Sequence, residues 1–201
     1  MAITTYTQLQ TAVGNWLHRA DLSTYIPDLI MLGEERIMRE VRSRDMETAF
    51  SDTIASGVIA LPTAYLELKY ATVGSSTKIF LKRTSAESIY SKYPLRQAEG
   101  EPRFIAREGS NFIFGPYPDS GYTISGVYYQ DIGPVSSSDH ALFTNNPDLY
   151  LFAALAETEA FIKNDPRVAL WEAKYEKIKA SVNGLRDRED ASGGGLMIRT
   201  A

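Results

Sequence analysis

The chain has 201 residues, 44% of them hydrophobic and 23% charged, with a formal net charge of -4, two histidines and no cysteine. At about 100–200 residues per domain this is one sizeable domain or two small ones, long enough to bury a core. The missing cysteines exclude disulfides, Cys-ligated zinc, iron–sulfur clusters and thiol nucleophiles, and the acidic balance speaks against broad binding to phosphate backbones.

The opening residues, MAITTYTQLQ, show no basic stretch followed by an apolar run, so no secretory signal is expected. The first helix is predicted from about Thr7 to Arg19. Thr5 with Gln8, or Thr7 with Gln10, offers a capping box, and Leu9, Val13, Trp16, Leu17 and Ala20 share one face. A second helix should begin near Tyr25 or Ile26, with Pro27 tolerated in its first turn. Ile26, Leu29, Ile30, Gly33, Ile37 and Val41 form its apolar side, against a charged face of Glu34, Glu35, Arg36, Arg39, Glu40, Arg42 and Arg44. A mid-helix glycine costs about 1 kcal/mol against alanine, so Gly33 points to close packing.

From Met46 the period changes to alternation. Strands are predicted at Thr48–Ile54, Val58–Leu61, Leu66–Val73 and Lys78–Lys82. A brief helix over Thr84–Tyr93 follows, capped by Thr84 with Glu87 and stopped by Pro94. Further strands are expected at Arg103–Arg107, Asn111–Phe114 and Tyr122–Gln130, the last with a bulge near Gly126. Beyond a polar loop from Pro134 to Pro147, two more helices are predicted. One runs from Pro147 to Lys163 with Leu149, Phe152, Ala153, Ala156, Ala160 and Phe161 as its packing face. The other runs from Pro166 to about Arg188 through Val168, Trp171, Tyr175 and Val182. Gly193-Gly194-Gly195 then leads into Leu196, Met197, Ile198 and Arg199.

The expected fold class is α+β. The N- and C-terminal helix pairs (residues 1–45 and 147–190) would form a four-helix bundle, because neither pair can bury its apolar stripe alone. A small antiparallel β domain with one short helix (46–146) would be inserted between them, and residues 191–201 would be a flexible tail.

No catalytic constellation stands out. Ser137, Asp139 and His140 lie close in sequence, but in a polar loop without the strained turn and oxyanion donors that a nucleophile needs. His18 has no ligand partner at helical spacing, and Glu34–Glu35 and Glu157–Glu159 lack the Glu-x-x-His pairs of di-metal bundles. The three glycines are not followed by Lys-Ser or Lys-Thr, so they are no phosphate loop. Tyr122, Tyr128 and Tyr129 lack the basic groove that base stacking needs. The expectation is no enzyme, no cofactor and no metal. No run approaches the roughly 18 apolar residues of a membrane span, and no membrane partner is expected.

Ordered motifs add more. Trp16-Leu17-His18-Arg19 with Asp21-Leu22, Ile26-Pro27-Asp28-Leu29-Ile30, and Glu34 to Arg42 are followed by Leu61-Pro62, Tyr65-Leu66-Glu67-Leu68 and Glu99-Gly100. Then come Pro102-Arg103, Phe114 with Pro116 and Pro118-Asp119, Val127-Tyr128-Tyr129, Asn146-Pro147-Asp148-Leu149-Tyr150-Leu151, Asp165, Arg167 and Trp171. In this order the chain resembles bacteriophage head–tail adaptor proteins, the ring-forming connectors similar to tail tubular protein A.

The resemblance implies a structural part of the virion, assembled in the host cytoplasm, that joins the portal to tail or nozzle proteins. It implies a dodecameric ring, monomeric when free, through which DNA passes without specific binding. The acidic charge fits a conduit that repels DNA. Leu196, Met197, Ile198 and Arg199 are then expected to contact the portal. The charged residues Glu34, Glu35, Arg36, Arg39, Glu40 and Arg42 would lie at subunit seams, and Tyr117, Asp119 and Tyr122 would face the tail. A tail completion or stopper protein is the alternative, and a small hydrolase using Ser137 and His140 the alternative from another class.

Overall fold

The computed structural model describes residues 3–54, 56–74, 77–94, 98–160 and 165–192. In chain order, α1 (Tyr6–Leu17) and α2 (Ile26–Glu40) precede the strands β1 (Glu47–Ile54), β2 (Val58–Ala60), β3 (Tyr65–Val73), β4 (Ile79–Phe80) and β5 (Lys82–Arg83). Next come α3 (Ala86–Lys92), β6 (Phe104–Glu108), β7 (Asn111–Gly115) and β8 (Tyr122–Gln130). The chain then forms α4 (Ala141–Asn145), α5 (Pro147–Ala156) and α6 (Pro166–Ser192). These elements fall into two compact units, a helical one built from residues 1–46 and 132–201, and a β unit, Glu47–Asp131.

Local chemistry sets the helix ends. The Thr5 hydroxyl accepts the Gln8 amide at 3.3 Å, and the Gln8 side chain reaches back to accept the Thr4 amide at 2.8 Å. That reciprocal capping satisfies amides that the first helical turn leaves without partners. α1 ends where His18 turns left-handed, at φ 52°. The cap of α3 lies one residue later than predicted, at Ser85 rather than Thr84, and its hydroxyl accepts the Ser88 amide at 3.1 Å.

The expected four-helix bundle is not what forms. Six α-helices are described, five of them in the helical unit, and α5 sits at the centre of that unit against α1, α2 and α6. Every residue from Leu149 to Ala156 is buried, so α5 has no solvent face. The sequence explains this: Leu-Tyr-Leu-Phe-Ala-Ala-Leu-Ala has no polar stripe, and a helix apolar all round must be enclosed. Gly33 of α2 faces it so closely that a Cβ there would lie 2.8 Å from the Ala154 backbone nitrogen. The close packing expected of this glycine is present.

The insert is also more than one small antiparallel sheet. It holds two four-stranded sheets, ordered β1-β8-β3-β4 and β2-β7-β6-β5, and β5 pairs with β6 in parallel. The chain changes sheet at Leu81. Its amide bonds Ala71 of β3 at 2.9 Å, while the next amide, of Lys82, bonds Arg103 beside β6 at 2.9 Å. Ile54, Leu68, Val73 and Ile124 from one sheet join Ile59, Ile105, Phe112 and Phe114 from the other in one apolar core. Alternation gives each sheet one apolar face, and pairing the two faces removes both from water.

Gly126 is not a bulge. It pairs regularly with Phe50 on one side and Ala71 on the other, and the irregularities lie on β3, between Tyr65 and Glu67 and between Leu68 and Tyr70. A Cβ at Gly126 would sit 2.4 Å from the Tyr70 carbonyl oxygen and 2.7 Å from the Phe50 ring. Glycine is there for close approach, not for an extra residue.

Candidate functional site

The charged face of α2 divides by use. Arg36 lies against α6, where its guanidinium donates to Glu172 at 2.8 Å through Nη1 and again through Nη2. It also meets Glu40, Glu157 and Glu176 and stacks 4.3 Å above the Tyr175 ring. Glu40 accepts from the Tyr175 hydroxyl at 3.0 Å and from Lys179 at 2.9 Å. Arg42 donates to the carbonyls of Met38 and Val41 at 2.8 and 2.7 Å, and Asn183 accepts its amide at 3.1 Å. Arg36, Glu40 and Arg42 thus lock α2 within the chain, most of them against α6, while Glu35 and Arg39 remain exposed. Reading the sequence alone misses the partners on α6, although Glu172, Glu176 and Lys179 stand at one-turn spacing and carry the matching charge.

Glu34 is the exception on that face, being only 8% exposed. Its carboxylate accepts the amide of Val135 at 2.9 Å, and burial, reinforced by the charge of Glu35, pushes its pKa up despite that hydrogen bond. A carboxyl with a raised folded pKa stabilises below its unfolded value and loses that contribution as pH rises through the folded value. Glu34→Gln keeps an acceptor for Val135 without a charge. It should equal or exceed the wild type in thermal stability at pH 7, with the gain fading towards the ordinary value of 4.5. Glu34→Ala leaves the amide without a partner and should cost about 1–3 kcal/mol in denaturant unfolding.

The Ser137, Asp139 and His140 stretch is a turn and a helix cap. The Ser137 amide bonds the Pro134 carbonyl at 3.0 Å, and His140 Nδ1 accepts the amide of Phe143 at 3.3 Å. The lone pair that a general base would use is therefore engaged with the start of α4.

In the β unit, Tyr122 donates to the Asp119 carboxylate at 2.6 Å, and the Tyr117 hydroxyl donates to the Ser56 carbonyl at 3.0 Å. The three residues expected at a tail contact therefore share one loop region, 116–122, fastened by these bonds. A more exposed apolar feature escapes the sequence reading. A groove of about 610 Å³ on the face of the first sheet is lined by Phe50, Tyr70, Lys78, Phe80 and Gly126. Phe80 is 71% exposed and meets Tyr70 edge-on at 5.9 Å. No sequence signal marks it, because the two-residue strand β4 is too short to show which face it presents. Among the described residues no group of three or more acidic or histidine side chains is placed to hold a metal, and no helix is long and apolar enough to cross a membrane.

With this geometry in hand, similarity to known proteins decides the family. The family model described as SU10 adaptor protein matches residues 4–199, nearly the whole chain. The chain belongs to the SU10 adaptor protein family. A search of curated proteins found no match. Membership makes it a phage adaptor protein, a structural part of the virion that interacts with other virion components. The stretch expected to contact the portal, Leu196 to Arg199, falls inside the family match but outside the described residues.

Proposed function

We propose that this SU10-family adaptor is a head–tail connector that forms a ring beneath the portal, joins it to the tail and lets DNA pass. The observation that carries this reading is the family match over residues 4–199. The acidic net charge of -4 supports a lining that DNA slides past without adhering. In the assembled ring twelve copies stand side by side, each monomeric until the portal's symmetry organises them. Glu35 and Arg39, exposed on α2, are the members of the charged face available for a subunit seam, since Glu34, Arg36, Glu40 and Arg42 have partners within the chain. The loop with Tyr117, Asp119 and Tyr122 is assigned to tail or nozzle proteins.

The segment Leu196-Met197-Ile198-Arg199 is assigned to the portal, with Gly193–Gly195 as its hinge. Mixing the purified protein with a candidate portal should add a twelve-fold ring in electron micrographs. A chain lacking residues 193–201 should keep its circular-dichroism spectrum and thermal transition and lose portal binding. Unchanged binding by the truncated chain would remove the assignment of the tail. Binding to tail components alone would favour a completion or stopper role.

A further inference from the structure

Residues 132–146 follow the β unit and open the second part of the helical unit, and Glu34, Asp45 and His140 make three of the contacts that hold this return segment. Glu34 accepts the amide of Val135, as described above. Asn145 donates to Asp45 at 3.2 Å. His140 makes the third contact and is the one with two ends. Its Nδ1 accepts the Phe143 amide at 3.3 Å, and its Nε2 stands 3.5 Å from the Tyr150 hydroxyl.

These partners fix the form of the ring. Nδ1 faces an N–H, so it must carry a lone pair and no proton. The proton of the neutral imidazole is then on Nε2, which faces the Tyr150 hydroxyl oxygen. The ring lies edge-tilted against Tyr150, with centroids 5.7 Å apart, on the buried helix α5.

We propose that His140 is a proton-operated clasp on the return segment. In its neutral form it caps the start of α4 at the Phe143 amide and meets Tyr150 of α5. Protonation at Nδ1 sets two donors against each other and opens the tie at the start of α4. The ionisable groups facing it are Asp139 beside it, Asp45 in the turn Arg44–Met46, and the Tyr150 hydroxyl, with Glu34 acting on Tyr150 from α2. Arg44, in the same turn as Asp45, is exposed. Burial holds the imidazole below its usual pKa of 6.5 and outweighs the pull of Asp139, Asp45 and the Gly133 backbone towards the charged form. For a group whose folded pKa lies below its unfolded value, the neutral-form contribution is complete above 6.5 and fades as pH falls below it.

Nitrogen-15 NMR of the full chain tests this with only two histidines to assign. His140 should show the Nε2–H tautomer and a midpoint below 6.5. Relative to intrinsic exchange, protection of the Phe143 amide should fall about fivefold from about pH 7.5 to about pH 5, while α1 amides hold theirs. His140→Asn supplies a cap acceptor that does not titrate, so it should keep the protection and abolish its pH dependence. An Nδ1–H tautomer, a midpoint at or above 6.5, or equal pH dependence in wild type and His140→Asn would overturn the clasp. The tautomer and midpoint of the wild type decide by themselves, so the clasp stands or falls on them even where the variant does not fold.

Discussion

Gly33→Ala is expected to destabilise the protein, although alanine is the better helix former. The propensity gain is about 1 kcal/mol. Against it, the new Cβ would lie 2.8 Å from the Ala154 nitrogen and 3.0 Å from the Ala153 carbonyl carbon, both backbone atoms that no rotamer change can move. Overpacking of this kind costs about 1–3 kcal/mol, and more where the backbone itself must shift, so the net result is a loss. α2 and α5 would have to separate, and every contact along their shared face would loosen. A melting temperature lowered by on the order of 5 °C in calorimetry is the expected result. Gly33→Val should be worse, and an unchanged or raised melting temperature for Gly33→Ala would mean that the helices are not in such close contact.

Arg36→Ala is expected to have a comparable or larger effect for a different reason. It leaves Glu40, Glu157, Glu172 and Glu176 gathered around an empty position, with Lys179 as the remaining cation paired to that group among the described residues. Removing one member of a buried ion pair costs about 3–5 kcal/mol. The Arg36 side chain is 16% exposed but its carboxylate partners are 29–47% exposed, so screening brings the expectation down to about 2–3 kcal/mol. Urea unfolding at low salt would measure it. Arg36→Lys should restore only part, because an ammonium cannot make the paired bonds to Glu172 or stack flat on Tyr175.

Acid adds a second signature. Hydrogen bonds from Arg36 hold the Glu172 carboxyl below its ordinary value. Burial alone would raise Glu40, but the bonds from Lys179 and Tyr175 and the charge of Arg36 outweigh it. Both groups therefore stabilise above 4.5 and lose that contribution as pH falls through their lowered values. Arg36→Ala should flatten the acid side of the stability profile below that point.

What the sequence makes legible follows from which signals are local. Thr5 with Gln8 announces the start of α1, Pro27 the start of α2, and Gly33 a close contact, because each depends on backbone geometry within one turn. The strands are found for the same reason: alternation is visible in Tyr122–Gln130 without knowing what lies beneath. Partner choice is a different kind of information. Nothing in Leu68 or Phe112 says that their faces meet, so two sheets around one core read as one small domain. A stripe is the usual way a helix packs, and assigning one to α5 overlooks its lack of any polar side. The charged face of α2 gives no sign in the sequence of the pairs that Arg36 and Glu40 make on α6, more than 130 residues later. In the sequence His140 reads as part of a polar loop, and its role as a cap needs the position of the Phe143 amide.

The helical unit is assembled from the two ends of the chain, with the whole of Glu47–Asp131 between them. During synthesis this sets an order of events. The apolar sides of α1 and α2 emerge early, while the helix that covers them, α5, is still more than 100 residues away. At roughly 5–20 residues per second, those faces wait on the order of 5–20 s for their partner. In that interval Leu29, Ile30, Ile37 and the bare backbone at Gly33 are open to chaperones or to the same segment of another nascent chain. The β unit lies within one continuous stretch, and its longest wait is that of β1 for β8 at the other end of it.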